Sequence, residues 1–130
     1  MSFGFGVGDF LAVSKLALDV YTGYKDAPED FRNISHEVKA LHIIVERHKD
    51  EFRDKTLSLD VAAQLREILE GCTHVLDDLN KLRMKYMSLG SGQGSSSHAV
   101  DRLKWTQENI QELRARLISN TGLLTLFIAR

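Results

Sequence analysis

The chain has 130 residues, 43% hydrophobic and 27% charged, with a formal net charge of -1 from 17 Lys and Arg against 18 Asp and Glu. These values are ordinary for one soluble globular domain, and without a basic excess they exclude a general nucleic-acid binder. A lone proline and the lack of long Val/Ile/Thr runs predict all-helical structure, and the single cysteine, Cys72, excludes an internal disulfide and points to a reducing compartment.

Residues 2–24 are apolar on every side of a helical wheel, through Phe3, Phe5, Val7, Phe10, Leu11, Val13, Leu16, Ala17, Leu18, Val20 and Tyr21. Only Asp9, Lys15 and Asp19 interrupt them with charge. A helix of this kind has to be surrounded, either as the central helix of a bundle or by a membrane or further copies. The stretch is not a secretory signal, because it lacks a basic start and a small-residue cleavage site, nor is it an uninterrupted span of about 20 apolar residues. Gly4, Gly6 and Gly8 alternate with the apolar residues and predict a mobile arm over 1–8, since glycine disfavours helix. The first helix is predicted over 9–24, with Asp9 as its cap or first-turn acid and Gly23 and the turn at Pro28 ending it.

The second helix is predicted over 27–54. Phe31, Ile34, Val38, Leu41, Val45, His48 and Phe52 alternate steps of three and four, a heptad seam with one polar member. Its other face is mixed charge, which predicts solvent. Ser58 is placed to cap the third helix, predicted over 59–89, where Val61, Leu65, Ile68, Cys72, Val75, Leu79, Leu82, Tyr86 and Leu89 form an unbroken seam widened by Leu69 and Leu76. Gly71 inside it costs about 1 kcal/mol against alanine unless a neighbouring helix packs close there. Residues 90–97 read as a flexible linker. The fourth helix is predicted over 99–130 from Leu103, Ile110, Leu117 and Leu124, with Leu113, Thr121 and Phe127 filling the seam and Trp105 and Ile118 off it. Its apolar end carries no stop signal, so the chain reads as a fragment of a longer protein. The expected fold is all-α: an antiparallel four-helix bundle with a flexible glycine-rich N-terminal arm.

Chemistry-bearing motifs are sparse. Residues 90–94 lack the Gly-Lys-Ser/Thr ending of a phosphate-binding loop. His36, His42 and His48 are six apart, not the four that sets two rings on one helical face, so no metal or other cofactor is expected. No serine or cysteine sits on an elbow beside a base, and Cys72 reads as a small buried hydrophobe, so the chain is not expected to be an enzyme. Lys81, Arg83, Lys85, Arg102 and Lys104 gather where the third helix ends and the fourth begins. They read as ordinary solubilising cations or as a patch for anionic lipid head groups.

Four segments carry a family resemblance: the opening MSFGFGVGDF, residues 24–31 (YKDAPEDF), residues 85–90 (KYMSLG) and residues 113–127 (LRARLISNTGLLTLF). Together they resemble the N-terminal helical domains of fungal NLR-like STAND proteins, many of the HeLo-like group. The resemblance implies a signalling or effector domain ahead of a nucleotide-binding oligomerisation module and a repeat array in the same receptor. Such a domain self-associates on activation, moves from the cytoplasm to the plasma membrane, and acts on lipid to cause regulated cell death. The matching segment here is Phe3 to Leu18, with Gly4, Gly6 and Gly8 supplying mobility and Phe3, Phe5, Val7, Phe10 and Leu11 the membrane or oligomer contacts. Asp9 and Lys15 make it a poor spontaneous membrane span. The alternative expectation is a homotypic adaptor that recruits a separate effector without touching lipid.

Overall fold

A computed structural model describes the backbone of residues 7–25, 29–53 and 57–90 and of 96–129, with side chains described over 10–25, 32–52, 57–85 and 109–129. It is all-helical, with α1 at Val7–Tyr24, α2 at Glu29–Arg53, α3 at Leu59–Gly90 and α4 at Ser96–Ala129. The described residues contain no strand.

The core is made from the seams that the spacing predicts. Ile34, Val38, Leu41 and Val45 of α2 are buried, as are Leu65, Leu69, Cys72, Val75, Leu76, Leu79 and Leu82 of α3 and Ile110, Leu113, Leu117, Leu124 and Phe127 of α4. Phe52, Val61 and Ile68 pack against this cluster from its edge. Ser58 caps α3, its Oγ accepting from the Val61 amide at 3.3 Å and its carbonyl from the Ala62 amide at 2.9 Å. That pairing satisfies donors that a helix start otherwise leaves open.

α1 packs on α2 and α3, and α4 on α3 and α2, while no described residues pair α1 with α4 or α2 with α3. Read around the bundle, the order is therefore α1, α2, α4, α3. Sequence position falls along α2 as it rises along α1: Phe10 stacks on Phe52 with ring centroids 5.4 Å apart, Ser14 meets Glu46, and the Lys39 ammonium lies 5.3 Å from the Tyr21 ring centre. Across α3 and α4, Asp78 meets Arg116 at 2.8 Å. Between α2 and α4, Arg114 meets Glu37 at 2.7 Å. Both ion pairs are partly solvated, and pairs of this kind contribute only about 0 to 1 kcal/mol. Apolar burial carries the fold.

Two expectations for the N-terminal half need correcting. α1 begins at Val7, so Val7 and Gly8 belong to a helix and not to an arm ending at residue 8, while Asp9 takes the first-turn place that was one of its two expected roles. The helix is also not central. It occupies one corner, burying Phe10, Val13, Ala17, Val20 and Tyr24 and turning Leu11, Lys15, Leu18 and Thr22 outward. α1 ends at Tyr24, the expected bound, one residue past Gly23, and the Lys25 amide donates to the Tyr21 carbonyl at 2.9 Å. Gly23 also serves packing, since a Cβ there would lie 2.6 Å from the Cδ of Arg83, whose side chain crosses it. Gly71 has the same kind of role. A Cβ at that position would run into the amide oxygen of Asn120, so the glycine admits α4 against α3.

Candidate functional surfaces

Two of the expected contact residues separate once side chains are placed. Phe10 is only 1% exposed, a core residue between α1 and α2 whose ring stacks on Phe52, which in turn lies 5.8 Å from Phe127. Three aromatic rings from α1, α2 and α4 close one end of the core, so Phe10, expected as a membrane or oligomer contact, is covered in this packed state. Leu11, next in sequence, points the other way and is 44% exposed. With Leu18, 46% exposed, and Lys15 between them it forms an outward stripe at steps of four and three. Phe3, Phe5, Gly4 and Gly6 lie outside the described residues, as do the side chain of Val7 and the surroundings of Gly8.

The cationic patch is likewise divided. Arg83 is turned inward across Gly23, close enough to Tyr24 for its charge to bear on the phenol. It is half-buried and so set apart from its exposed neighbours Lys81 and Lys85. Lys81 and Lys85 are exposed, but they line a shallow groove between α3 and α4 together with Asp78, Glu112 and Arg116, a mixed-charge surface and not a basic one. Arg102 and Lys104 lie on α4, with side chains outside the described residues.

A half-buried polar connection between α1 and α2 has no counterpart among the sequence motifs. Ser14 is 2% exposed in an otherwise apolar stripe and donates its hydroxyl to Glu46 Oε1 at 2.6 Å. His42 Nδ1 lies 3.1 Å from Ser14 Oγ and 3.0 Å from the Ser14 carbonyl, while Lys49 Nζ donates to Glu46 Oε2 at 2.7 Å. One proton arrangement satisfies all four contacts: Nδ1–H shared between the two serine oxygens, and the hydroxyl proton on the carboxylate. The set contains a serine, a histidine and an acid, but the acid binds the serine and not the imidazole, and Ser14 is buried inside a helix. The geometry suits a cross-link, not nucleophilic attack. The signal was present in the sequence as His42, Glu46 and Lys49 at steps of four and three along one face of α2, opposite a lone small polar residue in α1.

The Lys49 ammonium and the Ser14 hydroxyl hold Glu46 below its ordinary carboxylate range. A lowered folded pKa means that the stabilisation is present above the unfolded value and is lost as pH falls through the folded one. We expect Ser14→Ala to cost about 1 kcal/mol at neutral pH. Melting curves taken from pH 7 downward should show a shallower acid decline for Glu46→Gln than for wild type. An identical decline in both would place the acid sensitivity elsewhere.

Burial pushes the Cys72 thiol up to about 12, which keeps it protonated and poorly nucleophilic at neutral pH. Tyr24 is fully buried and donates its hydroxyl to the Leu79 carbonyl at 2.5 Å. Burial raises its phenol above the ordinary range, against the opposing pull of the nearby Arg83 guanidinium. Among the described residues no three His, Cys, Asp or Glu side chains converge as a metal site, and no helix is long and apolar enough to cross a membrane. Compared with known proteins, the chain matches no protein-family model, no curated protein and no solved structure.

Proposed function

We propose that this chain is the N-terminal effector domain of a fungal NLR-like receptor, an antiparallel four-helix bundle with a glycine-rich arm that oligomerises, acts on membranes and induces regulated cell death. The downstream nucleotide-binding and repeat regions of the same receptor bring cytoplasmic copies together, and the assembled copies meet the plasma membrane. The observation that carries this reading is the outward stripe of α1. Leu11 and Leu18 stay exposed on α1, the helix that in sequence directly follows the apolar Phe3-Gly-Phe5-Gly segment.

The energetics favour residues 1–6 over α1 as the lipid contact. Withdrawing α1 would expose Phe10, Val13, Val20 and Tyr24, at about 2 kcal/mol each and so on the order of 8 kcal/mol in all. That is comparable with the whole stability of a small domain, about 5 to 15 kcal/mol. α1 therefore stays in the bundle, and the output is surface association by the phenylalanines ahead of it.

The test is flotation with, and dye release from, anionic and neutral vesicles, comparing wild type with a Phe3→Glu, Phe5→Glu double variant shown by circular dichroism to be folded. Release by wild type alone is the expected result. Neither binding nor release, even when copies are held together by a fused trimeric coiled coil, would sink the membrane reading. The homotypic adaptor would then stand, and the burial of Phe10 with the exposure of Ile118, Leu123 and Leu126 on α4 already favours it as the second reading.

A further inference from the structure

We infer that copies of this chain assemble head to tail, the outward stripe of α1 from one copy seating in the groove between α3 and α4 of the next. This rests on the self-association in the function proposed above and names its surfaces. The groove is an open cleft of about 590 Å³, with Ile68 and Gly71 of α3 and Asn120 and Leu123 of α4 along its floor. Asn120 lies over Gly71, which keeps the floor low at its middle. Leu123 and, beside the cleft, Leu126 are 49% and 72% exposed, an apolar strip that the monomer leaves in water.

The occupant is identified by matching pattern, length and charge. α1 offers Leu11, Lys15 and Leu18, two leucines with a cation between them. The groove offers Glu67 and Glu70, exposed acids one turn apart on α3, beside the half-buried Ile68. Leu11 to Leu18 spans about 10 Å along a helix, and Gln64 to His74, the length of the groove on α3, about 15 Å, so both leucines fit within it. These rim charges bias the register, and the leucines supply the affinity.

The ring order makes the contact open-ended. With helices in the order α1, α2, α4, α3, the outer corner of α1 and the outer groove of α3 and α4 lie on different sides, so one copy can use both at once. An interface between two different surfaces builds rings or filaments and does not stop at a dimer.

Sedimentation of the 130-residue chain over a range of concentrations tests this. Wild type is expected to grow beyond a dimer as concentration rises. Leu18→Asp and Leu123→Asp should each weaken association by about tenfold or more, since each loses one of the two surfaces at its centre. Mixed in equal amounts, they should form one-to-one heterodimers and nothing larger, because only one intact pair of surfaces remains. Lys15→Glu should weaken assembly and recover it when mixed with a Glu67→Lys, Glu70→Lys partner. A wild type that stays monomeric or stops at a dimer, a single variant that assembles normally, or a mixture that stays monomeric would overturn the proposal. Dye release by the coiled-coil fusion, which needs no native interface, reports on the membrane reading separately. Release without native assembly removes this interface alone.

Discussion

Phe10→Ala is expected to lower stability by about 3 to 5 kcal/mol, the usual range for deleting a buried aromatic side chain. For a domain of this size that is a fall in Tm of about 10 °C or more. The residue is buried between α1 and α2, where its ring stacks on Phe52 and Phe52 continues the contact to Phe127 of α4. Phe10→Glu should do worse, because it places an unpaired carboxylate against the Phe52 ring in the core. Thermal melts followed by circular dichroism decide the matter. A Phe10→Ala protein that melts with the wild type would show that the N-terminal end of α1 leaves the core readily. The expected loss also governs how function is tested: a charged residue at position 10 would abolish any activity by unfolding, so among the apolar residues of the N-terminal segment Phe3, Phe5, Leu11 and Leu18 are the ones to change.

Tyr24 anchors the other end of the same helix. Tyr24→Ala removes a fully buried ring and should cost about 3 to 5 kcal/mol. Tyr24→Phe keeps the ring and removes only the bond to the Leu79 carbonyl, at about 1 kcal/mol. The phenol also predicts an alkaline limit. Its folded pKa is raised, so its contribution is fully present below the unfolded value near 10 and falls as pH rises above it. Cys72 acts in the same direction from its unfolded value near 8.5 up to about 12, so the informative comparison is Tyr24→Phe against wild type above about pH 10. The variant should lose less stability there per pH unit. Parallel curves would show that Tyr24 ionises as easily in the folded chain as in the unfolded one.

The amphipathic seams of α2, α3 and α4 were legible because alternating steps of three and four can be satisfied only by facing one core, and most of the described residues they single out, among them Ile34, Val38, Leu65, Leu79 and Leu124, are buried. Ser58 as a cap and Gly71 as a point of close approach could be argued from local chemistry, which the structure bears out. α1 was harder. With apolar residues on all sides its pattern does not say which stripe turns inward, and the preceding glycines suggested an arm where burial of Phe10 in fact anchors a helix. Which helices adjoin was not legible either, since a heptad seam states that a face is covered without stating by what. Arg83 shows the same gap: one cation among several in the sequence, it is singled out only by a glycine 60 positions away that leaves room for it.

The order of helices around the bundle has a mechanical consequence. α1 with α2, and α3 with α4, meet along more extensive seams than the two pairs share with each other. The bundle therefore has a cleavage plane, passing between α1 and α3 and between α2 and α4, crossed by the Tyr24 bond to Leu79, the Arg83 side chain over Gly23 and the Glu37 pair with Arg114. Pulled apart, the chain parts first along that plane into two hairpins, hinged at the connection between α2 and α3, like a book whose facing pages are the apolar core.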